Sequence, residues 1–400
     1  MKRVVPLVVS MMLMSACSPN ANTLVAAEQP KSAVESKAVV SLSDISGHWA
    51  ESDIKAIVAA GYVDGYPDGS FKPDHTVTRA EFITMTAKAA GLKPVPGGDN
   101  KEWYAPYVAA LVQAGIHQYK DFSSGDWNTP ITRMEMARLA VRASDKSLQS
   151  PEDSTAAKKF MFLATQKGLI TGMADGQLGK EESATRAQSV KIIQRILDVS
   201  QGKKLEVDKR AASYAEVELT GSNTQTMWGL KSKELPYQLP FTKTSVKTTV
   251  DQIIVVDMDS EDGAYRSWFP KAGLVKNTGE SVGTDYLVAL KVTIDNDVHG
   301  REGSFNIMMQ LLGHNEFRRT VILKEYRHTT PIQHAPSIAL EELEKVEGWI
   351  LFSAPKEWVD SGLKDKDFDG LRLSENNGAD IFLTERLLPD NQVNIGGIKK

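Results

Sequence analysis

The 400-residue chain has little cysteine and little net charge. Its single cysteine, Cys17, excludes a disulfide within one molecule. The net charge of −4 argues against nucleic acid as a partner, because nucleic-acid-binding proteins carry a clear basic surplus. Beyond the N-terminal region, no stretch is apolar enough for the ~20 residues of a transmembrane helix. The chain also lacks GxSxG, HExxH and P-loop motifs, and its seven histidines show no metal-ligand spacing. We therefore expect no enzyme, no cofactor and no metal site.

The one cysteine follows a pattern typical of an export signal. Lys2 and Arg3 precede an apolar run over residues 4–14, and two small residues lead to Cys17. That run is too short to span a bilayer. The ending resembles a bacterial lipobox, although Met14 stands where leucine is more usual. The resemblance implies that Cys17 is lipidated and becomes the mature N-terminus. A plain secretory signal with an incidental cysteine is the alternative.

A repeat follows a polar, patternless stretch that we interpret as a flexible tether. The tetrad Thr-Arg-x-Glu/Gln occurs three times, with arginines 54 and 53 residues apart, at Arg79, Arg133 and Arg186. Eighteen residues before each arginine stands a glycine where a helix C-cap is expected, at Gly61, Gly115 and Gly168. Apolar residues at helical spacing precede the first two glycines. The fixed period predicts three helix–loop–helix repeats that pack around a shared core.

The tetrad itself has the pattern of a helix-capping box. The pairs are Thr78/Glu81, Thr132/Glu135 and Thr185/Gln188. Capping does not explain the arginine, because a cation in the first turn faces the positive end of the helix dipole. Two explanations stay open. The arginine binds an anionic ligand beside free helix N–H groups, or it forms an ion pair with a neighbouring repeat.

The region 42–201 resembles three consecutive S-layer homology domains. The resemblance rests on DISGHWA (44–50), on AAGYVDGYPDGSFKP (59–73), and on the tetrads VTRAE, ITRME and ATRAQ. It implies an all-α, pseudo-threefold module that binds secondary cell-wall polymers non-covalently, often through pyruvate-ketal sugars. The ligand would lie in grooves between adjacent repeats. The second repeat lacks the GYPDG loop and reads QYKDFSSGDW instead.

The resemblance assigns roles to individual residues. The motif arginines, Arg79, Arg133 and Arg186, would pair with a pyruvyl carboxylate. Trp49 and Trp103 would face a sugar ring or pack at the helix start. Asp44 and Asp99 would accept sugar hydroxyls or cap a helix, and Gly65 and Gly69 would let the backbone approach a ligand or make a turn. The third repeat lacks the tryptophan and has Gln188 for glutamate, so unequal grooves are expected. The groove that uses first-repeat residues is expected to bind best.

Past the repeats the hydrophobic period changes to two. Residues 203–240 are mostly polar and are expected to form a linker. Alternating runs such as 286–294 predict an antiparallel β-sandwich over 241–390. The stretches 286–296 and 347–373 weakly resemble immunoglobulin-like extracellular domains, which share no catalytic residues. An acidic run at 365–370 resembles the start of a calcium loop but lacks its final glutamate, and a polar turn is the expected reading.

These observations predict a multidomain envelope protein. The expected segments are a signal peptide with lipobox (1–17), a tether (18–40), S-layer homology repeats (41–93, 94–147 and 148–202), a linker (203–240) and an immunoglobulin-like sandwich (241–390). We expect it to tie the lipid bilayer, through Cys17, to a pyruvylated wall polysaccharide on the extracytoplasmic side. The alternative is that the repeats only localise an enzyme or ligand-capture domain. A protein partner of the sandwich is left open.

Overall fold

The computed structural model describes most of the chain from residue 42 to residue 386. The described residues are 42–96, 102–150, 156–240, 247–270, 274–276, 279–296, 307–313, 316–319, 321–324, 344–364, 370–375 and 380–386. Cys17, Asp99 and most of the acidic run at 365–370 lie outside these ranges, as do the expected signal peptide and tether. Within the described ranges, no helix has the length and apolar character needed to cross a bilayer.

The first part of the fold is helical. The helices are α1 (Glu51–Ala59), α2 (Arg79–Ala89), α3 (Ala105–Gln113), α4 (Arg133–Ser144), α5 (Ala157–Gln166), α6 (Arg186–Ser200), α7 (Lys209–Thr220), α8 (Thr224–Trp228) and, much later, α9 (Lys356–Lys364). The pairs α1/α2, α3/α4 and α5/α6 are the three predicted helix–loop–helix repeats. Gly61, Gly115 and Gly168 follow the first helix of each pair in the left-handed conformation, as expected for a C-cap glycine.

The second helix of each pair begins with a complete capping box. The hydroxyls of Thr78, Thr132 and Thr185 accept a hydrogen bond from the backbone N–H three residues on. The side chain at that position, a glutamate or Gln188, accepts from the N–H of the threonine in return. The capping prediction is therefore confirmed at all three sites. Each box contributes about 1 kcal/mol and sets where the helix starts.

The three repeats are joined by a closed ring of backbone hydrogen bonds. Val77 N–H donates to Ala184 O (3.0 Å), Ala184 N–H to Ile131 O (3.2 Å), and Ile131 N–H to Val77 O (3.0 Å). All three residues are fully buried and directly precede the capping threonines. One hydrophobic cluster runs through all six helices around this ring. The predicted shared core is present because no single helix pair can bury its own apolar stripe.

The expectation of a linker over residues 203–240 is wrong for most of that range. It contains α7 and α8, and α7 packs along α5 with Ala211 and Ala215 in the core of the repeats. Asp208 caps α7 through the N–H of Ala211 and also accepts from Gly172 N–H in the third repeat. The apolar face of α7 is built mainly from alanines, so its composition appears polar although its spacing is helical.

The rest of the described chain forms antiparallel sheets, as predicted. The strands are β1 (Leu230–Ser232), β2 (Tyr237–Gln238), β3 (Lys247–Asp257), β4 (Val275–Lys276), β5 (Tyr286–Asn296), β6 (Ile307–Gly313), β7 (Glu316–Arg319), β8 (Val321–Lys324), β9 (Glu344–Ala354), β10 (Gly370–Glu375), β11 (Asp380–Phe382) and β12 (Thr384–Arg386). One sheet has the order β2-β3-β5-β9-β8-β4, a second has β11-β10-β6-β7, and β1 pairs with β12.

Both faces of the larger sheet are buried in its centre. On β5, Val288 and Leu290 point into a cluster shared with β10 and β11, whereas Leu287 and Ala289 point into a second cluster. The second cluster is covered by residues of 258–270, by Leu274 and Val282, and by α7. The alternating pattern of β5 predicted one buried face. Both faces are buried because the intervening residues of β5 are also apolar.

The helix α7 connects the repeats to the sheets. Tyr214 packs against the core of the repeats and, edge to face at 4.9 Å between ring centroids, against Tyr265. Glu216 is 2 % exposed, and its carboxylate accepts from the N–H groups of Gln225 and Thr226 at the start of α8. Burial raises the pKa of Glu216 to about 7, although these hydrogen bonds oppose the shift.

We expect the stability of this junction to depend on pH through Glu216. Its pKa is about 7 in the fold, against a reference value of 4.5. The folded state therefore binds the proton more tightly, and this contribution is present below about pH 4.5 and lost as the pH rises through 7. Urea unfolding from pH 5 to 8 should show the wild type losing up to roughly 3 kcal/mol relative to Glu216→Gln. Parallel pH profiles for the two proteins would contradict this.

Candidate functional site: the seams between repeats

Each motif arginine reaches into the loop of the next repeat. We call these contacts the first seam (Arg79 in the second repeat), the second seam (Arg133 in the third repeat) and the third seam (Arg186 in the first repeat). The arginines are 2 %, 7 % and 4 % exposed, respectively. The second helix of every repeat starts with the arginine, so the capping box aims each side chain across the boundary.

In the third seam each guanidinium nitrogen of Arg186 donates to an acceptor within the protein. Its Nε donates to Phe71 O (2.9 Å), Nη2 to Asp64 O (3.1 Å), and Nη1 to Glu81 Oε1 (2.9 Å). The rings of Tyr66 and Phe71 stack on it, with centroids 4.8 and 4.7 Å from the guanidinium carbon. The Tyr66 hydroxyl also donates to Glu81 at 3.4 Å. The charge of Arg186 is therefore paired with Glu81, and each of its three nitrogens has an acceptor.

In the first seam Arg79 forms a two-point ion pair with Glu135. Its remaining donors reach the loop at 123–126, where they meet the Ser123 hydroxyl and the Ser124 and Asp126 carbonyls. The ring of Phe122 lies 4.8 Å from the guanidinium carbon. The second-repeat loop lacks the GYPDG sequence but still surrounds Arg79.

In the second seam Arg133 has no carboxylate partner among the described residues. Its Nε donates to Leu178 O (2.9 Å) and Nη2 to Thr171 O (2.6 Å), which repeats the carbonyl contacts of the third seam. Gln188 occupies the position that Glu81 holds in the third seam. Burial lowers the pKa of the Arg133 guanidinium, and the nearby Glu182 charge only partly opposes this. The buried positive charge is thus left without a counter-charge in contact.

The helix N-termini beside the arginines are not free, which corrects the expectation of open N–H groups. Arg79 N–H donates to Thr129 O and Ala80 N–H to Trp127 O, both at 3.0 Å. Equivalent bonds close α4 and α6, from Arg133 to Glu182, Met134 to Lys180, Arg186 to His75 and Ala187 to Pro73. These backbone groups are therefore occupied, and Arg79 and Arg186 each form an ion pair with a neighbouring repeat.

The side chains of Trp49 and Trp103 are exposed to solvent. Trp49 is 61 % exposed and Trp103 is 57 % exposed. They stand at equivalent places, just before α1 and α3, next to the rings of His48 and Tyr104. Neither ring is buried, so packing at the helix start covers only part of each ring.

Asp44 holds the loop of the first repeat. Its carboxylate accepts from Phe71 N–H and Lys72 N–H, both at 2.7 Å, rather than capping α1. Desolvation alone would raise the pKa of this exposed carboxyl group, but these hydrogen bonds outweigh it and hold the pKa of Asp44 below its usual value. The Asp44 oxygens are thus engaged in positioning the loop.

The loop glycines differ between the first and third repeats. Gly69 has a φ of +80°, which favours glycine, and nothing lies within 4 Å of where its side chain would be. Its counterpart Gly176 is covered by Arg210 of α7. Gly65 has no acceptor for its N–H among the described residues, whereas the N–H of its counterpart Gly172 donates to Asp208. The α7 segment thus covers the third-repeat loop, whereas the first-repeat loop is held by residues 42–44 and has open space at Gly69.

Several features of the seams had no clear signal in the sequence. Asp208 and Arg210 lie in the range expected to be a linker, so their contacts with the third repeat were missed. Tyr119, in the second-repeat loop, is 71 % exposed. A comparison of Tyr66 with Met173, which follow Gly65 and Gly172 directly, would have suggested unequal seams. Within the described ranges no cluster of three potential metal ligands occurs.

We expect the first-seam ion pair to be needed for folding. Arg79→Met leaves Glu135 buried without its partner, which costs about 3–5 kcal/mol. The double variant Arg79→Met with Glu135→Gln retains the cap on α4 but removes the stranded charge, so it should recover part of that loss. Thermal and urea unfolding of the full chain measure both. Equal stability of Arg79→Met and wild type would show that the pair contributes little.

Comparison with known proteins gives a family for the first repeat. Residues 41–83 match the sequence model of the S-layer homology domain. This match covers α1, the GYPDG loop and the start of α2, and therefore Trp49, Asp44 and Arg79.

Curated relatives match over a longer region. The S-layer protein sap of Bacillus anthracis is 31% identical over 165 residues, 36% of this chain and 20% of its own length. The cellulosome-anchoring protein of Acetivibrio thermocellus is 41% identical over 84 residues, 21% of this chain and 17% of its own. An amylopullulanase of Thermoanaerobacterium thermosulfurigenes is 29% identical over 180 residues, 40% of this chain and 10% of its own. The chain thus spans a fifth or less of these relatives, and it carries an S-layer homology domain at residues 41–83.

Proposed function

We propose that this protein is a non-catalytic anchor whose three repeats, all of the S-layer homology type, bind an anionic, pyruvylated cell-wall polysaccharide. The observation that carries the proposal is the exposure of Trp49 and Trp103 at equivalent positions of two repeats. Burying a large apolar side chain stabilises a fold by about 1.5–3 kcal/mol. Two equivalent rings left in water are better explained by an external apolar face than by packing, and a sugar ring offers such a face.

The charge of the seams favours an anionic polymer. Each seam contains a buried guanidinium, and one of the three has no carboxylate in contact. A buried arginine gains from a carboxylate ligand because the planar fork matches it and the surroundings are poor in water. The names of two relatives, an S-layer protein and a cellulosome-anchoring protein, agree with a role in surface attachment.

A lipid at Cys17 would supply a second attachment point. We propose that the lipid holds the N-terminus in the membrane while the repeats hold the wall, so that the two bonds reinforce each other when the tether spans the gap. The sheets, an immunoglobulin-like module in this proposal, are fixed to the third repeat through α7 and displayed beyond it.

Substitution of the exposed tryptophans tests wall binding without disturbing the fold. In co-sedimentation of the full chain with purified cell walls, we expect Trp49→Ala and Trp103→Ala each to weaken binding by about tenfold, and the double variant to lose it. Unfolding midpoints should stay near that of wild type, because the rings are exposed. Phe382→Ala, an exposed aromatic in β11 that is 41 % exposed, serves as the control and should bind normally.

The same co-sedimentation experiment tests whether the pyruvylated polysaccharide is the ligand. Walls stripped of their pyruvylated polysaccharide should fail to pull down the wild type. The proposal would be overturned if the double tryptophan variant bound walls as well as the wild type does. It would also be overturned if the wild type bound walls that had been stripped of the polysaccharide.

Lipidation is tested separately in cells. Cys17→Ser should move the protein from the detergent-extracted membrane fraction to the fraction released from walls, since only the wall contact remains. An unchanged membrane fraction for Cys17→Ser would show that Cys17 is not the anchor.

A further inference from the structure

The exposed indole of Trp49 lies against the imidazole of the residue before it, His48. The two ring centroids are 5.3 Å apart, and the ring planes are tilted by 37°. Trp49 is 61 % exposed, whereas the side chain of His48 is only 14 % exposed. The orientation of an indole that reaches into solvent therefore depends on how this half-covered imidazole is held.

Two hydrogen bonds hold the His48 ring and define its protonation. The Ala50 N–H donates to Nδ1 at 3.1 Å, and Nε2 lies 3.3 Å from Oδ1 of Asp74. A backbone N–H can only donate, so Nδ1 carries no proton here, and the neutral ring has its proton on Nε2, which donates to Asp74. The bonded N–H belongs to the peptide group between Trp49 and Ala50. His48 thus fixes the peptide attached directly to Trp49.

The same bond forms part of the turn that starts α1. Ala50 is fully buried, its side chain provides no cap, and Glu51 N–H donates to His48 O at 2.9 Å. A proton on Nδ1 would place two donors face to face and leave the buried Ala50 N–H without its acceptor. The charge would also stand at the positive end of the helix dipole. This turn therefore requires the neutral imidazole.

The charged groups around His48 do not replace that acceptor. Asp74, from the segment before α2, has a side chain that is 81 % exposed, so water screens its attraction for a protonated ring. The carboxylate of Glu51 on α1 accepts from Gly47 N–H at 2.8 Å and from Lys55 at 2.6 Å. Neither of these carboxylates supplies a new acceptor for the turn.

The second repeat provides a natural comparison without the histidine. Trp103 follows Glu102, an exposed residue whose carbonyl accepts from Ala105 N–H at 3.1 Å, as the His48 carbonyl does in the first repeat. The Trp103 ring contacts Tyr104 edge to face at 5.6 Å. Histidine ordinarily changes charge between about pH 5 and pH 8, whereas glutamate and tyrosine do not. The two tryptophans therefore differ in whether a titratable ring holds them.

We infer that His48 is a positioning residue that makes wall binding through Trp49 depend on pH, whereas binding through Trp103 does not. The inference rests on the proposed wall binding by both tryptophans. The neutral ring holds Trp49 in its binding orientation. When the pH falls and the ring takes up a proton, the peptide after Trp49 loses its acceptor and the indole loses its fixed place. Wall binding then depends on Trp103.

The test is co-sedimentation of the full chain with purified cell walls at pH 8 and pH 5. Trp103→Ala binds through Trp49, and it should bind about tenfold more weakly at pH 5 than at pH 8. Trp49→Ala binds through Trp103 and should bind equally at both pH values. Both variants meet the same walls, so any titration of the walls themselves affects the two alike. An equal pH dependence of the two variants would overturn the inference.

Substitutions of His48 in the Trp103→Ala protein separate positioning from charge. His48→Ala removes the acceptor and should bind about tenfold more weakly at both pH values. In His48→Asn the amide oxygen can accept from Ala50 N–H and does not titrate, so this variant should recover binding and retain it at pH 5. Unfolding midpoints at both pH values ensure that only folded protein is compared. The inference is wrong if His48→Asn keeps the pH dependence of its parent.

The measurements distinguish failure of this inference from failure of the proposed function. If the wild type binds walls at pH 8 and the two tryptophan variants share one pH profile, wall binding stands and His48 has no part in it. Absence of wall binding by the wild type at pH 8 would overturn both.

Discussion

The ring of backbone hydrogen bonds among Val77, Ile131 and Ala184 is the constraint on which the helical region depends. Each of these buried residues directly precedes a capping threonine, so the ring sets where three helices begin. Because the arginine follows the threonine, the same ring delivers three guanidinium groups into three neighbouring loops. A buried donor without a partner costs about 1–3 kcal/mol, which explains why the ring is closed and why the helix N-termini are filled by carbonyls of the next repeat.

The repeats use one architecture for unequal chemistry. Because α2, α4 and α6 each begin with an arginine, every seam has a guanidinium and two or more acceptors, but the third contact depends on single residues. A glutamate makes the seam self-contained, whereas Gln188 leaves a buried charge unmatched in the second seam. A buried ion pair has little net effect on stability while both partners are present, and a lone buried charge is expensive. Retention of such a charge next to Met173 is the feature that distinguishes this seam.

The sheets are not an independent appendage in this structure. The helix α7 contributes Ala211 and Ala215 to the core of the repeats, and its Tyr214 packs on Tyr265 of the sheet region. The start of the same helix covers the loop of the third repeat through Asp208 and Arg210. Attachment of the sheets and closure of that loop therefore depend on the same helix, whereas residues 42–44 hold the first-repeat loop.

The sequence by itself determined the period, the helix pairs, the capping boxes and the antiparallel strands, because these depend on residue types at short spacing. Threonine and glutamate three apart cap a helix wherever they occur, and alternating apolar runs form strands. Only the tertiary structure decided what the arginines contact, since their partners lie 38–122 residues away. It also decided that residues 209–220 and 224–228 are helical and packed, because the burial of small alanines depends on a neighbour that composition does not reveal. The ion pairs of Arg79 with Glu135 and of Arg186 with Glu81 likewise depend on the folded chain, since each pair joins two repeats.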